Sequence, residues 1–150
     1  MKSTIPVTGK LAITLTDSNG NIKSSETHNL VVNVGIAAIA NRLISDAEAK
    51  ITHMALGKGV TAAAAGNTAL VTEAGRVAMQ TTTQVTESVS NDAVQYVAEF
   101  GPGVATGNIT EAGLFTAASA GKMWCRSVFS VLGKEAGDTL VIAWVIKVGL

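Results

Sequence analysis

The sequence predicts a mainly β fold: an antiparallel β-sandwich or jelly-roll-like barrel with one short α-helix. Three observations carry this. Long stretches alternate apolar and polar residues with a period of two, the pattern of half-buried strands. Turn signals separate them, among them Asp17-Ser18-Asn19-Gly20, Gly101-Pro102-Gly103 and the glycine-bounded stretch 133–137. Only one segment, about residues 34–45, switches to helical spacing. The sequence therefore lacks the βαβ rhythm that builds a parallel nucleotide-binding sheet.

The elements follow in order. Leu11, Ile13 and Leu15 point one way, with Lys10, Thr14 and Thr16 between and beside them. Asn19-Gly20 supplies the positive φ of a tight turn, so this strand forms a hairpin with one returning through Ile22 and Lys23 toward Leu30-Val31-Val32. Ile36, Ile39, Ala40, Leu43 and Ile44 then fall at helical spacing, with Asn33 as a candidate N-cap. The reading is a helix that lays this apolar stripe on the sheet and stops at Ser45-Asp46-Ala47-Glu48. A short strand covers 51–57, and residues 58–67 form a Gly- and Ala-rich loop with few anchors. Arg76 begins a strand that runs on to Val85. Val94, Tyr96, Ala98 and Phe100 share one face of the next. Strands at 109–115, 123–131 and 139–148 complete the set, the last with Leu140, Ile142, Trp144, Ile146 and Val148 on one face. Leu11, Ile13, Leu15, Phe100, Phe129, Ile142, Trp144 and Ile146 are the expected core.

The chain has 150 residues, which fits one domain over 1–150 with a core of its own. Residues 1–6 are a candidate extended arm. Hydrophobic residues make up 47% of the chain and charged residues only 15%, against about 25% in an average protein. That deficit points to a surface that meets other protein, since interface cores are depleted of charge. Net charge is zero with His neutral, and the eleven Lys and Arg are scattered. Nucleic-acid binding, which needs clustered cations, is not expected. No apolar run approaches the roughly 20 residues of a membrane span, and the N-terminus lacks a signal-peptide core. The expected setting is a reducing cytoplasm, or a particle assembled there.

Residues that carry chemistry are few. His28 and His53 have no metal-type neighbours at ligand spacing, and the lone Cys125 can form neither an internal disulfide nor a cysteine zinc site. Cys125 reads as a small buried hydrophobe. Gly57-Lys58-Gly59 is not a phosphate loop: the motif needs Ser or Thr directly after its Gly-Lys pair, and here Gly59 and then Val60 follow. No nucleophile elbow is present. Thr72-Glu73-Ala74-Gly75 recurs as Thr110-Glu111-Ala112-Gly113, each beside a strand, as though marking two equivalent bends where Gly allows a bulge and Glu bonds backbone amides. A paired-carboxylate glycosidase would use such glutamates. Aromatic platforms for a sugar are scarce, however, at 4% of the chain. The favoured reading is structural: Glu73, Arg76, Glu111 and Arg126 are ion-pair candidates. No catalytic residue, cofactor or metal is assigned, and no enzymatic activity is expected.

Several blocks together resemble a known group. These are Val7-Thr8-Gly9-Lys10-Leu11 with Asp17, Asn19 and Gly20; Asn29-Leu30-Val31-Val32; residues 53–59; Asn67-Thr68-Ala69-Leu70; Glu73 with Arg76-Val77; Ile109-Thr110-Glu111-Ala112-Gly113-Leu114-Phe115; and Cys125-Arg126 with Val128-Phe129. The sequence resembles small virion structural proteins of tailed bacteriophages, most specifically in residues 110–115. The resemblance implies a β-sandwich subunit of the virion, with the major capsid protein or other virion proteins as partners and a homo-oligomer as the expected state. A single short domain without fibre repeats leans toward a capsid decoration, or cement, protein. A neck, collar or tail-fibre-associated position is the alternative. A glycan-binding sandwich with a cleft lined by Trp124 or Tyr96, and a small hydrolase, are the readings from other classes. In the structural reading, the loops at 58–67 and 101–108, lacking anchors of their own, would order against a neighbour.

Overall fold

A computed structural model describes residues 3–150. The chain forms β1 (Val7–Thr16), β2 (Ile22–His28), β3 (Leu30–Val31), α1 (Asn33–Arg42), β4 (His53–Gly57), β5 (Glu73–Ala78), β6 (Thr81–Val85), β7 (Ala93–Phe100), β8 (Gly107–Phe115), β9 (Met123–Lys134) and β10 (Thr139–Val148). These make two antiparallel five-stranded sheets, ordered β2-β1-β10-β7-β6 and β3-β9-β8-β4-β5. Among the described residues the sheet edges do not pair with one another. The fold is therefore a sandwich and not the closed barrel that alternation alone left open.

Period-two alternation does what it should. Leu11, Ile13 and Leu15 of β1 lie opposite Trp144, Ile142 and Leu140 of β10, and all six are buried between the sheets with Phe100 and Ala98 of β7. Phe129, expected in the core, is only half-buried at its margin, where β9 runs toward the exposed Ser130 and Val131. The turn at residues 17–20 forms as its residue types require. Gly20 takes φ +84°, and the Asp17 carboxylate accepts the amides of Asn19 and Asn21 at 2.9 Å each.

Two expected strands prove to be pairs of strands. The run from Ile22 toward Val32 breaks at Asn29, and the run from Arg76 toward Val85 breaks at Met79-Gln80; each time the chain crosses from one sheet to the other. Sandwich corners are made by such switches, and local alternation does not register them. At the first corner Asn29 accepts the Trp144 indole N–H at 2.9 Å. Its side chain lies so close over Gly9 that a Cβ there would come within 1.7 Å of the Asn29 Oδ1.

The helix starts one residue earlier and ends sooner than expected. Asn33 is its first residue, not its cap. Val32 holds the N-cap position and offers no side-chain bond. Of the expected stripe only Ile39 packs on the core. Gly35 and Ala38 face β9, with Ile39 half-buried beside them, while Ile36, Leu43 and Ile44 are 54%, 85% and 87% exposed. The cause is close approach: a Cβ on Gly35 would sit 2.3 Å from the Trp124 carbonyl oxygen. Backbone bonds from Val32 N–H to Trp124 O and from Asn33 N–H to Ala65 O, at 3.0 and 2.8 Å, set the helix rotation. Of the expected arm at 1–6, residues 1 and 2 lie outside the described residues. Pro6 is tied through its carbonyl to the Gly149 amide at 2.8 Å, and Ile5 is exposed.

Candidate functional site

The repeated Thr-Glu-Ala-Gly segments flank β4. Gly57 of β4 lies opposite Glu73 on one side and Glu111 on the other, so the two glutamates are equivalent in sheet position. Their surroundings differ completely. Glu111 and Arg126 sit on the sheet face away from the main core, beneath the loop of residues 58–72, and both are fully buried. Arg126 donates through Nε and a terminal nitrogen to one carboxylate oxygen at 3.0 and 2.9 Å. The carboxylate also accepts the amides of Gly59, Val71 and Thr72 at 2.8, 3.1 and 2.9 Å. Arg126 in turn donates to the carbonyls of Thr61 and Ala62 and to the Asn67 side-chain oxygen. Thr110 adds a 2.8 Å hydroxyl bond to the Gly59 carbonyl.

Burial pushes the Glu111 carboxyl up. The amides of Thr72 and Val71, the Arg126 guanidinium and the Gly59 amide together outweigh burial and hold it below the usual carboxylate range. A carboxylate that accepts several N–H bonds stays ionised even when dry. The same geometry explains Gly57-Lys58-Gly59. A Cβ at Gly57 or Gly59 would fall 2.6 or 2.5 Å from the Glu111 carboxylate oxygen. The glycines serve the protein's own carboxylate, not a phosphate.

The loop of residues 58–67 is thus anchored, contrary to the sequence reading. Its anchors come from β8 and β9, 51 to 65 positions away in sequence, where no local pattern announces them. The second loop expected to lack anchors, 101–108, is also held. Gly103 N–H bonds Ala136 O, Ala105 is buried, and the buried Lys134 ammonium donates to Gly101 O and Asp138 O at 2.9 and 2.8 Å. The sequence places Lys134 in the turn at 133–137, whereas in the structure β9 runs three residues past 131 and ends on it.

Glu73 pairs with Arg76 three positions on, through two bonds of 2.9 and 2.8 Å. Arg76 stacks on the Phe115 ring, 3.7 Å from its centroid, and donates to the carbonyls of Ala117 and Ala120. That holds the β8–β9 turn, where Ala120 and Gly121 take positive φ. The expected bends coincide with register shifts; Gly75 borders the first, where Ala74 is skipped, while Gly113 lies away from the second. The shifts fall opposite Leu56/Gly57 between β4 and β5, and between Ile109 and Glu111 in β8.

The other residues weighed for chemistry are placed as follows. His28 is exposed at the end of β2, and His53 shares a 2.8 Å bond with the Thr52 hydroxyl. Burial pushes the Cys125 thiol up to about 12, which leaves no thiolate at neutral pH. Among the described residues no group of three His, Cys, Asp or Glu could hold a metal ion. No helix there is long and apolar enough to cross a membrane.

Two surface features remain. Ile36 and Ala40 on the solvent side of α1, and Leu43 and Ile44 in the turn just past its end, are exposed, and Ile36 shares a shallow groove with Ile5 and Leu30. A cleft of about 440 Å³ also opens between the sheets beside α1, lined by both Tyr96 and Trp124. Trp124 is the residue skipped where Leu114 pairs with Cys125 but Phe115 pairs with Met123. No protein-family model matches the chain, and no curated protein matches it either.

Proposed function

We propose that the chain is a structural subunit that works by association, and that its assembly is a tailed-phage virion in which it serves as a capsid decoration, or cement, protein. The observation that carries the associative reading is the exposed aliphatic patch formed by Ile36 of α1 and Leu43 and Ile44 just past its end, with Leu30 and Ile5 exposed as well. Contiguous apolar surface of this kind is a feature of interaction sites. The low charge of the chain fits the same role. The buried bonds that hold residues 58–72 and 101–108 favour a rigid subunit that docks preformed, with little rearrangement. The virion assignment rests on the sequence resemblance, as do the major capsid protein as partner and the particle exterior as location.

The test is to mix purified protein with phage particles that lack it and to measure sedimentation of the bound fraction. Saturable binding is expected. Leu43→Asp with Ile44→Asp should weaken it at least tenfold while the melting transition stays nearly unchanged, because both side chains are exposed. Binding confined to about a dozen copies per particle would move the assignment to a neck, collar or tail position. A protein that stays monomeric, ignores such particles and turns over a glycan or ester would overturn the reading.

The glycan-binding alternative has the aromatic-lined cleft it requires. The walls there are mainly aliphatic, however, and a sugar's hydroxyls would be left without partners.

A further inference from the structure

The cleft beside α1 carries an inference of its own, independent of assembly. It is walled by Val31, Ile39, Ile51 and Ile146, with Tyr96 and Trp124 inside and the half-exposed Val148 at the edge. Its volume of about 440 Å³ falls within the roughly 300–1,000 Å³ of small-molecule sites. Such sites combine apolar walls with a few placed polar groups, and the polar groups here can be accounted for one by one. Gln84 donates to the Asn91 carbonyl at 2.9 Å. The Asp92 carboxylate accepts the amides of Glu87, Ser88 and Val89 at 2.8 to 3.0 Å. Asp92 is satisfied within the protein, and the exposed Gln84 and Asn91 side chains reach water. The Trp124 indole N–H is buried with no hydrogen-bond partner. The Tyr96 hydroxyl makes no hydrogen bond among the described residues and is not sealed as the indole N–H is; burial pushes it up to about 12, so it stays a donor. The Trp124 N–H is sealed from the cleft, so the Tyr96 hydroxyl is the free donor that a ligand oxygen entering it can meet.

We infer that this cleft binds a small neutral amphiphile, an aliphatic body that packs on Trp124 and ends in one oxygen that accepts from Tyr96. Neutrality follows from the lining. It contains no Lys, Arg or His, and its one charged residue is Asp92. An anionic head would be repelled, and a cationic one would find the Asp92 oxygens already engaged by three amides.

The experiment uses 1-octanol as probe, titrated into the native chain by calorimetry, and 8-bromooctan-1-ol as a heavy-atom quencher of tryptophan fluorescence. One molecule should bind per chain, saturably, and the bromo compound should quench emission that Trp124→Phe removes. Trp144, the other tryptophan, is sealed in the core and is not part of the lining. Tyr96→Phe should weaken binding about three- to tenfold, the loss of one hydrogen bond. Val148→Trp, at a half-exposed position, should block the mouth and weaken binding at least tenfold without unfolding the chain. Sodium octanoate should bind at least tenfold more weakly than octanol. The inference is overturned if octanol shows no saturable binding, if Val148→Trp and Tyr96→Phe both bind as the native chain does, or if octanoate binds as tightly as octanol.

Discussion

Glu111 and Glu73 stand in the same four-residue motif, in strands on either side of β4, both opposite Gly57. One is sealed with an arginine from the neighbouring strand and gathers three backbone amides from a loop. The other pairs with an arginine on its own strand and remains partly in water. The contrast shows that the motif sets a sheet position and not an energetic role. The role comes from what is folded on top. Over Glu111 lies a 15-residue loop with no regular structure, whose amides and carbonyls would otherwise be unpaired. Over Glu73 there is no such cover, and there Arg76 is the more committed partner, through Phe115 and two turn carbonyls.

The comparison breaks most sharply at Glu111. Glu111→Ala strands a buried guanidinium and frees three amides, so it should cost about 3–5 kcal/mol in denaturant unfolding. Amide exchange across residues 58–72 should accelerate with it. A cost under about 1 kcal/mol would show the sealed pair to be no better than an exposed one. Replacing the pair together by Leu and Met should recover part of the loss, because no unpaired charge remains.

Acid titrates the same site without mutation. The Glu111 carboxyl lies below its ordinary value of 4.5 in the folded state. Its contribution is therefore complete above that value and is lost as pH falls through the lower folded value. Unfolding free energies of native and Glu111→Gln chains, measured at pH 7, 4 and 3, should converge toward the acid end. A constant gap would refute the linkage.

Gly59→Ala tests the cover and not the charge. Its new Cβ would meet the Val71 Cβ at 2.4 Å and the Glu111 oxygen at 2.5 Å, both from parts of the fold that are tied down. Overpacking of this kind costs about 1–3 kcal/mol, and the loss should be far smaller in a Glu111→Ala background. Equal losses in both backgrounds would mean that the glycine serves something else.

At the other pair the order should invert. Arg76→Ala removes a stacked, largely buried side chain with two carbonyl bonds and should cost about 1–3 kcal/mol. Glu73→Ala should cost less than about 1 kcal/mol, as a half-exposed pair does. If Glu73 proves as costly as Glu111, the two sites are alike after all and the cover is irrelevant.

Much of this was legible along the chain. The alternation of Leu11, Ile13 and Leu15, the Asn-Gly turn and the long apolar face of 139–148 all depend on residues within a few positions of one another. Period-two burial follows from chain geometry wherever one sheet face is dry. Glu73, Arg76, Glu111 and Arg126 could be singled out because charges are rare here and the motif repeats. Their different depths could not be read, because the loop over Glu111 is ordinary in composition and its bonds span 39 to 65 positions.

The helix marks the same boundary. Residues about 34–45 announce a helix by themselves, since propensity and spacing are local. Their apolar spacing marks Ile36, Ile39, Ala40, Leu43 and Ile44, beside a second stripe of Gly35, Ala38 and Ile39. A hydrophobicity count favours burying the first. The structure buries the second, because the Val32 and Asn33 amides are tied to Trp124 and Ala65, and only a glycine fits against the Trp124 carbonyl. Hydrophobicity is non-directional, so it selects burial of some apolar face. Which face is buried depends on the steric and hydrogen-bonding constraints at the contact, and those exist only once distant segments have met.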